Sequence, residues 1–159
     1  MDDLEMHLGA LPRLSNAKTR SISPENFTGA SGSGGMAKEG TGAHPARDLG
    51  QGWKISPSVM IAPNETYLLA DIAGPAAIQH FWITNLTNVR ARDLILRIYW
   101  DNQENPSVEV PLGDFFVAAG KNSRKFLHWP FVSIRGVGLT VIGLCHFMSV
   151  QLSRLKTGV

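Results

Sequence analysis

Internal disulfide stapling is closed to this chain, because its 159 residues hold a single cysteine, Cys145. One thiol also excludes a Cys-x-x-Cys redox pair and the cysteine spacings of structural zinc sites, and it reads as a small buried hydrophobe. Long uncharged runs are missing too: no stretch reaches the roughly 18 residues that span a bilayer. The opening MDDLEMHLGALPRL carries acids where a secretory leader carries Lys or Arg. A cytoplasmic location without a membrane partner is the expectation. Charged residues make up only 18% of the chain against 16 Gly and 9 Pro, which disfavours long salt-laced helices and favours many turns. No His-Glu-x-x-His, no His/Asp ligand spacing and no Gly-x-Ser-x-Gly elbow occurs, and GASGSGG lacks the Lys-Ser/Thr of a phosphate cradle. No metal, no cofactor and no nucleic-acid partner is therefore expected.

Acids are absent from one whole segment. Residues 121–159 hold six of the 15 basic residues and none of the 13 acids, so this tail is +6, while residues 1–120, with nine basic residues against 13 acids, are −4. Such a break in composition marks two different kinds of sequence.

With that tail, the chain reads as four regions. Residues 1–20 form an N-terminal arm in which Pro12 interrupts any longer helix. Residues 21–52 are a Gly- and Ser-rich loop, long enough that function or disorder is its usual explanation. Residues 53–120 carry short strand patterns separated by turn residues. Trp53–Val59, Thr66–Ile72, Ala77–Thr84, Leu94–Trp100 and Ser107–Leu112 are the expected strands, with turns at Ala62–Glu65, at Ala73–Ala76 and at DNQENP. The last two strands form a β-hairpin. Trp53 and Trp100 are expected in the core. In the basic tail, Gly136–Val150 is apolar enough for a strand or a buried helix, and periodicity does not separate the two. The fold class is all-β, two packed sheets in a jelly-roll-like β-sandwich.

Candidate chemistry is sparse. Asp101, Glu104, Glu109 and Asp114 crowd the hairpin and the residues just after it, and paired carboxylates are needed for glycoside hydrolysis. Hairpin turns draw Asp and Glu for local hydrogen bonding, however, which suffices for Asp101 and Glu104. Glu109 alternates with Val108 and Val110 and points away from them, either to solvent or to a substrate. His80 and Trp82 share a face if Ala77–Thr84 is a strand; they are core residues or a sugar-gripping pair, ring on C–H groups and imidazole on a hydroxyl. Arg47 and Asp48, in a segment of Gly and polar residues, are a structural ion pair or ligand contacts. The candidate substrate-binding set is His80, Trp82, Arg47, Asp48 and Glu109. No catalytic residue is assigned.

The stretches LPRLSNAKTRSISPENFTG, ARDLGQGWKISPSV, LADIAGPAAIQHFWIT and LILRIYWDNQENPSVEVPLGDFF resemble the N-terminal part of the DUF2961 proteins. That family includes glycoside hydrolase family 172, enzymes of fructofuranosides, difructose anhydrides and arabinofuranosides. The resemblance runs from about Leu11 to Phe116. It implies tandem jelly rolls, a trimer-based homo-oligomer, a furanoside-containing oligosaccharide as partner, and a retaining mechanism with two glutamates expected beyond the end of this chain. After Phe116 the text departs from the family pattern. A frameshifted or truncated reading frame is the simplest account of residues 121–159, and a genuine variant C-terminus is the alternative. The expected function is the front of a furanosidase, inactive alone. A non-catalytic carbohydrate-binding or oligomer-forming sandwich is the alternative.

Overall fold

In the computed structural model, residues 12, 14, 16–83, 90–116, 126–128, 131–133 and 145–155 are described. The chain separates into two units, Met1–Pro57 and Ser58–Val159.

The first unit is built of turns and loop hydrogen bonds. An antiparallel bridge joins Ser23 to Asn26, and the Ser23 hydroxyl accepts the Glu25 N–H at 3.3 Å. Three longer ties fold the loop on itself. Gly42 N–H donates to the Ile55 carbonyl at 2.8 Å and Gly52 N–H to the Gly35 carbonyl at 3.1 Å, and the Gln51 amide donates to the Met36 carbonyl at 2.8 Å. Gly40 has φ +157°, and a Cβ there would lie 2.6 Å from Ser56 Cα, so only glycine fits against that backbone. The expected strand Trp53–Val59 does not form. The Ile55 carbonyl and the Ser56 N–H are taken by Gly42 and by the Glu25 carboxylate, and Pro57 has no N–H to offer a ladder. Trp53 is 55% exposed and not a core residue.

The second unit is all-β. Strands β1 (Thr66–Ala76), β2 (Leu94–Trp100), β3 (Val108–Pro111) and β6 (Cys145–Arg154) form one antiparallel sheet in the order β1-β6-β2-β3, and β4 (Phe126–His128) pairs with β5 (Phe131–Ser133) in a second, two-stranded sheet. A short helical turn, α1 (Leu112–Phe115), follows β3, and a 3-10 turn at Ala91–Asp93 precedes β2. The inner strand β6 comes from the basic tail. It pairs with β1 from Thr66↔Ser153 to Ala76↔Cys145 and with β2 from Leu94↔Arg154 to Trp100↔Met148. Of the apolar stretch left open by periodicity, Cys145–Val150 is strand; residues 136–144 lie outside the described set.

Strand alternation on β2 sets the core. Leu94, Leu96 and Ile98 are buried on one face, joined by Val150 of β6 and Leu112 of α1. Among the described residues, Leu96, Ile98 and Val150 are the largest fully buried side chains, and burying each is worth about 1.5–3 kcal/mol. The β2–β3 hairpin forms as the sequence predicts. Its turn places Asp101 at φ 50° and Asn102 at φ 58°, with Gln103 N–H donating to the Trp100 carbonyl at 3.0 Å. Consecutive positive φ values are best tolerated, after glycine, by Asp and Asn.

Two expectations in this region are corrected. Ala73–Ala76 is not a turn: β1 continues through it, with a register shift between Ala73 and Ala76, and the donor-less Pro75, cis to Gly74, sits exposed on the strand. Ala77–Ile83 carries only one bridge position, at Phe81, and is no regular strand; Thr84 lies outside the described residues. Its half-buried Ile78, Phe81 and Ile83 pack on the core face at spacings of three and two, a covering strip instead of a ladder. Phe81 meets Phe115 edge-on at 6.1 Å, and Phe115 meets Phe116 at 5.3 Å.

Candidate functional site

The two faces of the sheet differ in chemistry. Opposite the core, the register Leu68↔Gln151, Gln151↔Arg97 and Arg97↔Glu109 sets four side chains in one row across β1, β6, β2 and β3. Arg97 stands in that row as a donor hub. Its Nε donates to Glu109 Oε2 at 2.6 Å, and Nη1 donates to Ser153 Oγ at 2.7 Å. Ser153 and Thr66 share a hydroxyl–hydroxyl bond of 2.8 Å. The result is a polar chain across all four strands, anchored on a guanidinium only 26% exposed. An antiparallel sheet with one apolar and one polar face is the usual solution when one side meets water.

A second charged cluster sits where the 3-10 turn meets α1. Arg90 donates through Nε and Nη2 to the two oxygens of Asp93 at 3.1 and 3.0 Å. Arg92 donates through the same two nitrogens to Asp114 Oδ2 at 3.2 and 2.8 Å. The hydrogen bond to Asp93, and then its charge, raises the Arg90 pKa; Asp114 does the same for Arg92. Asp114 Oδ1 is buried without a hydrogen-bond partner.

Of the candidate residues, Glu109 lies on the polar face, tied to Arg97. His80 and Trp82 lie on the strip that covers the opposite, apolar face. The second unit therefore does not bring Glu109 together with them. His80 is exposed and Trp82 is 53% exposed, so neither is a core residue. Arg47 and Asp48 belong to the first unit, where Arg47 Nε and Asp48 Oδ2 are 3.4 Å apart with both side chains mostly exposed. The Arg47 guanidinium also donates to the His44 carbonyl at 3.0 Å, and it borders a shallow cleft of about 220 Å³ with Lys38, Gln51 and Ile55. An exposed pair of this kind contributes little to stability.

Sequence reasoning missed Glu25, Arg97 and Ser153. Glu25 Oε1 accepts the Ser56 N–H at 2.6 Å, while Oε2 is buried and unpartnered. Arg97 was legible in principle, being the one charge in LILRIYW. Among the described residues no three His, Cys, Asp or Glu side chains group as a metal site, and no helix is long and apolar enough to cross a membrane.

A family model described as GH172 domain-like matches residues 54–129. Over that segment, the chain is similar to a GH172 domain. The match takes in the strands β1 to β3, the turn α1 and the covering strip, and it continues past Phe116 to β4. No curated protein matches the chain. The GH172-like segment thus holds His80, Trp82, Arg97 and Glu109, while Arg47, Asp48 and the inner strand β6 lie outside it.

Proposed function

We propose that the GH172-like segment is the sheet scaffold of a furanoside-acting glycosidase, of fructofuranosides or arabinofuranosides, and that this chain alone hydrolyses neither. The match over residues 54–129 carries the first half of this reading. Carboxylate geometry supports the second half. Retaining hydrolysis needs two carboxyl groups about 5–5.5 Å apart on either side of a sugar, one to attack and one to protonate. Glu109 and Asp114 are instead each drawn to an arginine of their own, at 2.6 and 2.8 Å. Asp101 sits in the positive-φ hairpin turn.

In this reading, His80 and Trp82 contact substrate from the exposed side of the covering strip, and the jelly roll and the trimer-based assembly follow the family pattern. The test is turnover of p-nitrophenyl α-L-arabinofuranoside by the purified chain. No release of nitrophenol is expected; turnover abolished by Glu109→Gln or Asp114→Asn overturns the proposal. A second reading, a non-catalytic carbohydrate-binding or oligomer-forming sandwich, is favoured by the exposure of Trp82, Leu68 and Met60. Saccharide binding or self-association by a chain without turnover distinguishes it.

A further inference from the structure

The polar sheet face holds a group of donors and acceptors that the fold does not use up. A guanidinium carries five N–H donors, and among the described residues Arg97 spends one on Glu109 and one on Ser153. Its Nη2 amino group and the second Nη1 hydrogen remain. Glu109 binds Arg97 through Oε2 only, which leaves Oε1 on a side chain 53% exposed. The half-buried Gln151 is the cross-strand neighbour of Arg97 on the other side. Tyr99, also half-buried, is two residues along β2 and so stands on the same face. Directly opposed residues in antiparallel strands have Cβ atoms about 4.5–5.5 Å apart, so these four side chains form one patch.

We infer that this patch, Gln151, Arg97, Glu109 and Tyr99, binds the vicinal diol of a neutral furanoside. Charge decides the ligand class. Arg97 and Glu109 cancel, so the patch offers no net attraction to an anion, but it presents donor and acceptor side by side. A pair of adjacent hydroxyls answers that arrangement, each accepting from Nη2 and donating to Oε1, while the Tyr99 ring covers the C–H side of the sugar. The site is distinct from His80 and Trp82, which lie across the sheet. The inference rests on the furanoside reading and adds to it the surface that holds the sugar.

The experiment measures binding of α-1,5-arabinotriose and of 1-kestose to the full chain by calorimetry, for wild type, Arg97→Lys, Glu109→Gln and Trp82→Ala. Arg97→Lys keeps the charge and loses the fork, so at least about a tenfold loss of affinity is expected, the effect of one charge-assisted hydrogen bond. Glu109→Gln is expected to act likewise. The urea midpoint of each variant reports folding separately. A ligand-side control leaves the protein untouched: methyl 2,3-di-O-methyl-α-L-arabinofuranoside, whose 2- and 3-oxygens have no proton to donate to Glu109, is expected not to bind where methyl α-L-arabinofuranoside does. If Trp82→Ala removes binding and the Arg97 and Glu109 variants do not, the inference is overturned and the furanoside reading stands. If neither oligosaccharide binds the wild type, both fall. Preference for glucuronate over the neutral sugars overturns the inference on charge.

Discussion

Val150 sits at the centre of the sheet, fully buried between β1 and β2, yet it belongs to the acid-free tail. Replacing it with alanine tests whether that tail is structural. Two carbons are removed, worth about 1.6 kcal/mol at about 0.8 kcal/mol per buried methylene. A residual cavity on the order of 50 Å³ adds about 1.2 kcal/mol at about 24 cal/mol per Å³. The expected cost is therefore about 2–3 kcal/mol, the lower figure if Leu96 and Ile98 close the gap. With an m-value of about 1–1.5 kcal/mol per M urea, the midpoint falls by about 2 M. Trp100, half-buried against the core cluster, reports the transition by fluorescence. Leu68→Ala is the control: Leu68 is 50% exposed on the same sheet but on the polar face, and its loss should cost under about 1 kcal/mol. Equal, small shifts for Val150→Ala and Leu68→Ala would refute β6 as the inner strand.

Other outcomes rest on single observations. Burial raises the Tyr67 pKa above 10.0, so the fold favours the neutral phenol; that contribution is full below pH 10 and is lost as pH rises through the folded value. Tyr67→Phe should flatten the fall of Tm above pH 10, and an unchanged slope counts against it. Gly40→Ala should cost about 1–3 kcal/mol by overpacking, because its Cβ meets backbone at 2.6 Å; loss of amide-exchange protection at Gly42 is the readout, and full protection contradicts the close approach. Trp82→Ala should cost about 1 kcal/mol or less in urea unfolding, since the ring is 53% exposed, whereas a core tryptophan costs about 3–5 kcal/mol; a loss of the larger size returns Trp82 to the core.

The sequence by itself determined the elements whose signals are local. In LILRIYW, alternation placed Leu94, Leu96 and Ile98 on one face, and DNQENP supplied residues that tolerate the positive φ of the hairpin turn. The all-β class and the likeness to the GH172 domain were legible for the same reason, as runs of contiguous residues. Tertiary structure decided the features that depend on distant partners. Trp53–Val59 and Ala77–Ile83 have strand-like composition, but Gly42 and Glu25 take the backbone groups of the first, and the second turns Ile78, Phe81 and Ile83 down onto the core. β6 shows the limit most clearly. Its apolar half reads equally as helix or strand, and only the edges of β1 and β2, far earlier in the chain, fix it as a strand through the registers Thr66↔Ser153 and Leu94↔Arg154. The polar patch has the same origin: Arg97, Glu109, Gln151 and Ser153 are scattered in sequence, and antiparallel register alone sets them side by side.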